Sequence, residues 1–175
     1  MEHYHFIGIG GIGMSSLATI LLERGHEVSG SDLCLNERTS FLANRGALIY
    51  EGHDAKWVKE GATVVYHARI HKDHPEFQND NRKVHRLDLL KETMGEVPIY
   101  AVVGAHGKTS TSALLSHVLT HFDQAFGFSV GGVLVNTLQN GKDGSRGFAL
   151  EGDESDGSFL RIHPNGAILT NVEPD

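Results

Sequence analysis

A single cysteine, Cys34, is all this chain contains, so no internal disulfide can staple it and its stability must come from a packed core. That usage fits a reducing compartment, with Cys34 read as an unreactive loop or packing residue. No apolar run approaches the ~20 residues of a membrane span, and no basic region leads into a cleavable apolar stretch at the N-terminus. The expectation is a cytoplasmic protein with no membrane partner. Basic residues are also scarce: 15 Lys and Arg stand against 22 Asp and Glu, a formal charge of -7. With no basic cluster, a nucleic-acid surface is not expected, whereas nucleotides held through backbone N–H groups remain allowed. Twelve histidines form no H-E-x-x-H or paired Cys/His pattern and read mostly as surface or packing residues. What remains is 175 residues, 39% of them apolar, enough for one domain or two small ones.

Within that frame the chain carries two glycine-rich strand-to-helix turns. The first follows the apolar strand Tyr4-His5-Phe6-Ile7 and reads Gly8-Ile9-Gly10-Gly11-Ile12-Gly13, a G-x-G-x-x-G spacing. Leu17, Ala18, Leu21 and Leu22 recur at helical intervals behind it, and Gly25 is placed to end that helix. A second strand, Glu27-Val28-Ser29-Gly30, runs out at Ser31-Asp32, where a carboxylate can accept hydrogen bonds from a ribose or a base. Strand, helix, strand with an acidic residue about 20 positions on is a dinucleotide- or nucleotide-binding pattern, and which nucleotide stays open on these residues.

The second turn is the more informative. Ile99-Tyr100-Ala101-Val102-Val103 leads into Gly104-Ala105-His106-Gly107-Lys108-Thr109-Ser110, and a helix begins near Lys108. Such a turn aims backbone N–H groups at phosphate oxygens and adds the positive end of a helix dipole. Lys108 would neutralise terminal phosphates and the Thr109 hydroxyl would reach a magnesium ion. The loop is a shortened variant, because the general G-x-x-x-x-G-K-[ST] pattern would put its first glycine at Val102. Ala113, Leu114, Leu115, Val118 and Leu119 supply the apolar face expected of the following helix. Further on, Phe148-Ala149-Leu150 ends in Glu151-Gly152-Asp153-Glu154-Ser155-Asp156. Glu151 occupies the position from which an acidic side chain meets the magnesium ion of a phosphate-loop protein; Asp153, Glu154 and Asp156 stand between metal binding and a solvated acidic loop.

The remaining segments read as alternating elements. Residues 36–44 are expected helical, Ala47-Leu48-Ile49-Tyr50 and Ala62-Thr63-Val64-Val65-Tyr66 as strands, with a short helix around Trp57 between them. His71-Lys72-Asp73-His74-Pro75-Glu76 reads as a polar loop capping the next helix, Val84-His85-Arg86 as a short extended piece, and Leu87 to Met94 as a helix closed by Gly95 and Pro98. Phe128 to Val135 suggests a strand, Asn140-Gly141-Lys142-Asp143-Gly144 an exposed turn, and Ala167-Ile168-Leu169-Thr170 the last strand. The expectation is α/β: a Rossmann-like parallel-sheet domain over residues 1–97, then the first part of a phosphate-loop α/β domain over 98–175. A last strand with no covering helix after it points to a fragment.

Taken in order, Gly8 to Ser15, Ser29-Gly30-Ser31-Asp32, Gly104 to Thr109, Glu151 to Asp156 and Thr170-Asn171-Val172-Glu173 closely resemble the Mur ligases, over nearly the whole chain. The likeness is greatest to the members that join L-alanine to UDP-N-acetylmuramate. The resemblance implies a cytoplasmic, ATP- and Mg2+-dependent ligase of peptidoglycan-precursor synthesis, of which this chain is an N-terminal fragment inactive by itself. The ATP γ-phosphoryl group goes to the lactyl carboxylate, and the amine of L-alanine attacks the acyl phosphate. By matching position it places Gly10, Gly11, Ile12, Gly13, Met14 and Ser15 against the UDP diphosphate and Asp32 near the uridine. ATP falls to Gly104, Ala105, His106, Gly107, Lys108, Thr109, Ser110 and Asn171, and magnesium to Thr109 and Glu151. Lys108, His106 and Glu151 are the catalytic set. The chain departs from the family at Ala105, where a threonine is usual, at Gly152, and at Tyr66-His67-Ala68-Arg69-Ile70, where the family has Ser-Ser-Ala-Ile. A nicotinamide-dependent dehydrogenase would explain Gly8, Gly10, Gly13 and Asp32 but not Lys108, Thr109 and Glu151. A noncatalytic nucleotide-sugar-binding module of the same fold is the alternative from another class. Nothing in the sequence sets the oligomeric state.

Overall fold

A computed structural model describes residues 1–78, 80–152 and 163–173, and its contacts divide the chain into two units, Met1–Leu89 and Leu90–Asp175. The first unit is built on five short strands: β1 (His3–Ile7), β2 (Glu27–Asp32), β3 (Leu48–Glu51), β4 (Thr63–Tyr66) and β5 (Lys83–His85). All pair in parallel in the order β3-β2-β1-β4-β5. Parallel neighbours need crossovers, and helices α1 (Ile12–Glu23) and α2 (Glu37–Asn44) supply the first two. The central strands β1 and β4 carry apolar residues that are fully buried, Phe6, Ile7, Val64 and Val65, because both of their faces are covered.

The two later crossovers run through single helical turns at Ala55–Trp57 and Pro75–Phe77. They leave a face built from Ile7, Val58 and Val64 with Tyr66, Ile70 and Phe77 packed on it. Local chemistry fixes the helix ends as the sequence suggested. Asn36 caps α2, its Oδ1 accepting from the amides of Arg38 and Thr39 at 3.0 and 3.3 Å, while Thr39 Oγ1 accepts from the Asn36 amide at 2.8 Å. Gly25, at φ +81°, follows the last turn of α1 in the left-handed conformation that suits glycine.

α3 (Arg86–Met94) spans the division between the units. The second unit then contains β6 (Ile99–Val103), α4 (Lys108–Phe122), β7 (Phe126–Leu134), β8 (Gln139–Lys142), β9 (Gly147–Glu151) and β10 (Gly166–Leu169). Its sheet order is β10-β6-β9-β7-β8, parallel except for β8, which runs antiparallel to β7 at the edge. The expected exposed turn at 140–144 is therefore corrected: residues 140–142 belong to β8, and Asn140, Gly141 and Gly144 are buried. Gln139 and Asn140 are buried in β8, and the chain reverses at 135–138 instead. Pairing with β7 decides the conformation of these polar residues against their turn propensity.

The buried face of α4 is also rotated from the expected one. Leu115 and Leu119 pack, with Ala113, on Phe128, Val130, Leu134 and Ala149, and the fully buried positions are Ser112 and Ser116. Leu114 and Val118 face outward. Each buried serine finds a partner: Ser116 Oγ donates to the Ser112 carbonyl at 2.7 Å, and Ser112 is taken up at the site below. Among the described residues no helix is long and apolar enough to cross a membrane.

Candidate functional site

Both glycine turns open a helix at the end of an interior strand. In the first, Gly8 sits at φ +77°, and the amides of Gly8 and Ile9 both donate to the Ser31 carbonyl, at 2.8 and 3.0 Å. The next peptide is clamped on both sides. Gly10 N donates to Asp32 Oδ2 at 2.8 Å, and its carbonyl accepts from Asn36 Nδ2 at 3.3 Å and Arg38 Nε at 2.6 Å. Asp32 Oδ1 accepts in turn from the Cys34 amide at 3.3 Å. A Cβ on Gly10 would lie 2.6 Å from Asn36 Nδ2 and 2.9 Å from Asp32 Oδ2, so the clamp needs glycine there.

Past the clamp the loop is open. Gly11 is exposed and precedes α1, which has no side-chain cap and no acid in its first turn, the arrangement that favours an anion. The Arg86 guanidinium lies against this turn: a Cβ on Gly13 would be 2.9 Å from its Nη1. Ile12 and Gly13 are half-buried, whereas Met14 and Ser15 are buried. Ser15 donates its amide to the Gly11 carbonyl and its hydroxyl to the Ile12 carbonyl. His67, in the stretch that departs from the family pattern, places Nε2 3.7 Å from a Cβ built on Gly8.

Beneath this loop lies a polar cluster that sequence reasoning missed. Glu76 is not the exposed loop residue expected but is fully buried. Its carboxylate accepts from Ser31 Oγ at 2.9 Å and from the Asp54 amide at 3.3 Å, with His5 Nε2 at 3.1 Å and His53 Nδ1 at 3.2 Å. Burial works against its charge, yet the hydrogen bonds from His5 and Ser31 and the nearby imidazoles hold it below the usual carboxylate range. Ser31 thus carries the glycine turn on its carbonyl and Glu76 on its hydroxyl.

The second loop is clamped in the same way with different chemistry. His106 N donates to Asn171 Oδ1 at 2.9 Å, and the His106 carbonyl accepts from Thr170 Oγ1 at 2.6 Å and Asn171 Nδ2 at 3.2 Å. Gly104, at φ +134°, is pressed so closely that an added Cβ would lie 2.2 Å from Thr170 Oγ1. Gly107 caps α4 from the left-handed region, again without a side-chain cap. Lys108 Nζ donates to the carbonyls of Gly104 at 2.6 Å and Ala105 at 3.3 Å, which holds the ammonium over its own loop. Ala105, His106, Thr109 and Ser110 are exposed. The His106 ring places Nε2 3.4 Å from Glu173 Oε2.

Glu151, the last residue of β9, meets this loop. Its Oε1 accepts from Thr109 Oγ1 at 2.7 Å, and its Oε2 from Ser112 Oγ at 2.8 Å and the Gly131 amide at 2.7 Å. Two hard oxygen donors from different elements thus converge, the donor type a magnesium ion takes. Asp153, Glu154 and Asp156 lie outside the described residues. Of the functional neighbours not foreseen, Gly131-Gly132 did leave a signal, since paired glycines inside a strand mark a bulge or a close backbone approach. β7 shifts register between Ser129 and Leu134, across that pair.

Fold and loop geometry together define an α/β protein with a Rossmann-like unit followed by a unit of phosphate-loop type. The family model described as Mur ligase family, catalytic domain, matches residues 3–97, and the chain belongs to the Mur ligase family. It is 44% identical over 178 residues to the UDP-N-acetylmuramate--L-alanine ligase of Protochlamydia amoebophila, covering 99% of this chain and 39% of that protein. The ligase of the same name from Aquifex aeolicus is 41% identical, with 100% and 40% covered. Among solved structures, UDP-N-acetylmuramate-alanine ligase MurC of Thermotoga maritima superposes with a TM-score of 0.90 at 32% identity, over 100% of this chain and 42% of that one. A further match is the UDP-N-acetylmuramate:L-alanyl-gamma-D-glutamyl-meso-diaminopimelate ligase of Neisseria meningitides, with a TM-score of 0.88 at 29% identity, over 100% and 62%. The chain spans about two fifths of the length of the curated relatives it matches.

Proposed function

We propose that this chain serves ATP-dependent ligation of L-alanine to UDP-N-acetylmuramate in the cytoplasm, a step of peptidoglycan-precursor synthesis. Residues 1–97 would hold the UDP-sugar and residues 98–175 would begin the ATP-binding part. The observation that carries the reading is the pairing of Thr109 with Glu151 beside the Lys108 loop, in a chain that also presents an open glycine turn. A nicotinamide-dependent dehydrogenase has no use for the first of these. The relatives' names supply the two substrates.

The chemistry follows from the substrates. A carboxylate is a poor acyl donor until phosphate becomes its leaving group, so ATP must first convert the lactyl carboxylate to an acyl phosphate, releasing ADP, and the amine then attacks the acyl carbon and displaces phosphate. The protein's task is to bring anions together and neutralise them. Lys108 exchanges its loop carbonyls for phosphate oxygens. Loop amides other than that of His106, which Asn171 holds, contribute the cradle, and Asn171 with Thr170 keeps that loop rigid. Thr109 and Glu151 would hold Mg2+, which would supply charge neutralisation at the phosphates. His106, exposed beside the loop, faces the reacting carboxylate. In the first unit the turn at Gly11, Ile12 and Gly13 receives the diphosphate, with Arg86 beside it, and Asp32 braces the loop on its uridine side.

Calorimetric titration with UDP-N-acetylmuramate, against UDP-N-acetylglucosamine and NADH, tests this. Binding that depends on the lactyl group is expected, and binding of NADH alone would overturn the reading in favour of a dehydrogenase. The placement of His67 at the glycine turn, in a stretch altered from the family pattern, favours a second reading: a noncatalytic nucleotide-sugar-binding module. UDP-sugar binding without any ATP binding at the Lys108 loop would support it.

A further inference from the structure

The Glu151 carboxylate is held asymmetrically, and the asymmetry has a source. Among the described residues, Oε2 receives two donors, Ser112 Oγ at 2.8 Å and the Gly131 amide at 2.7 Å, whereas Oε1 receives one, Thr109 Oγ1 at 2.7 Å. Ser112 has one proton to give. Its oxygen is also 3.1 Å from the Thr109 carbonyl, but an ionised carboxylate at the shorter distance is the stronger acceptor. Ser112 is fully buried one helical turn beyond Thr109, so its hydroxyl cannot be exchanged for water. The third wall is bare backbone. A Cβ on Gly131 would lie 2.6 Å from Glu151 Oε1, and one on Gly132 would lie 2.7 Å from Thr109 Cγ2.

Resting on the phosphate-loop reading above, we propose that Ser112 and the Gly131 amide are the positioning groups of the cation site, fixing Oε2 so that Oε1 faces Thr109. Ser112 touches neither nucleotide nor cation; it acts through Glu151. The Gly131-Gly132 pair is then a spatial requirement of that site. Groups behind a metal-bound carboxylate typically govern affinity by ten- to a hundredfold.

The test is Mn2+ binding to the 175-residue chain with ATP present, read from the electron paramagnetic resonance of free Mn2+, alongside melting of the metal-free chain. Ser112→Ala should weaken Mn2+ binding about tenfold, more than any change in melting accounts for, and Ser112→Thr, which keeps the hydroxyl, should recover most of it. Gly131→Ala keeps the amide but brings a Cβ to 2.6 Å from Oε1 and 3.0 Å from Oε2, so it should push the carboxylate off its seat and lose Mn2+ comparably. Ser112→Ala and Gly131→Ala binding Mn2+ like the unaltered chain, while Glu151→Gln does not, would overturn the proposal and leave the phosphate-loop reading standing. No Mn2+ uptake by the unaltered chain would overturn that reading and the proposal with it.

Discussion

The two glycine loops solve one mechanical problem with opposite electrostatics. In each, a single residue in mid-loop has its N–H and its C=O both taken by side chains: Gly10 by Asp32, Asn36 and Arg38, His106 by Asn171 and Thr170. In each, some of those side chains come from the end of the strand next to the loop-bearing one or from the residues just past it, Asp32 closing β2 beside β1 and Thr170 and Asn171 following β10 beside β6. The clamp of the first loop is ionic, a carboxylate offset by Arg38 and by Arg86 nearby. That of the second is neutral, with the Lys108 ammonium held over the loop and the Glu173 carboxylate 3.4 Å from the His106 ring. A loop proposed to cradle a triphosphate gains nothing from a fixed carboxylate in its own brace. A loop proposed to hold a diphosphate shared with a nucleoside tolerates one on its outer side, where both oxygens of Asp32 are already engaged.

The strongest way to break this comparison acts below the first loop. Glu76→Ala should cost about 3–5 kcal/mol, because His5, Ser31 and His53 lose a buried partner. Denaturant melts would measure it, and ATP binding at the second loop should survive wherever the chain stays folded. The same cluster predicts an acid limit. Glu76 lies below its usual 4.5, and burial holds His74 and His3 below their usual 6.5. For each, the folded chain binds fewer protons than the unfolded one between the folded and usual values. Their stabilisation is therefore complete above the usual values and drains away as pH falls through them towards the folded ones. Melting temperature should fall below about pH 6.5 and more steeply once Glu76 protonates, and a profile flat to pH 4 would refute this.

Next in size is Gly104→Ala, which adds a Cβ 2.2 Å from Thr170 Oγ1 on a backbone at φ +134°. We expect a loss of about 1–3 kcal/mol together with ATP binding. Its counterpart Gly8→Ala, at φ +77° with only His67 at 3.7 Å, should show the backbone strain alone. Equal melting of the two would mean that the neutral clamp is not the tighter one. Lys108→Ala should then separate the loops by ligand. ATP affinity is expected to fall tenfold or more, about 1.4 kcal/mol, with UDP-sugar binding unchanged in the same titration.

How much of this could be read beforehand depended on range. The glycine turns, the apolar strands before them and the Gly25 stop are local patterns and stood in the sequence. So did the pairing of Thr109 with Glu151, 42 residues apart, because a phosphate loop prescribes an acid at the end of a later strand. Glu76 was illegible: its partners His5 and Ser31 lie 71 and 45 residues away, and a charged loop with one proline gives no sign of folding inward. The outward turn of Leu114 and Val118 was hidden because Ser112 and Ser116, polar by composition, occupy the buried stripe. Gln139 and Asn140 took strand conformation because β7 offered a partner.

The smallest expected effect on stability sharpens the comparison most. Gly11 stands at φ -65°, ψ 146°, open to any residue, and an added Cβ meets only the Gly8 carbonyl at 3.2 Å and Met14 Cγ at 3.8 Å. Gly11→Ala should therefore shift unfolding by less than about 1 kcal/mol, since the loss of unfolded-state freedom offsets a slight contact. Its side chain would instead fill the exposed space over the uncapped start of α1, where the diphosphate is proposed to lie. UDP-N-acetylmuramate affinity should fall with the size of the residue introduced, from Ala to Leu, at constant melting temperature. The Lys108 loop, whose equivalent opening is guarded by a movable ammonium and not by empty space, should be indifferent to the change. If Gly11→Leu binds the UDP-sugar as the unaltered chain does, the first loop is a structural turn, and only the second remains a ligand site.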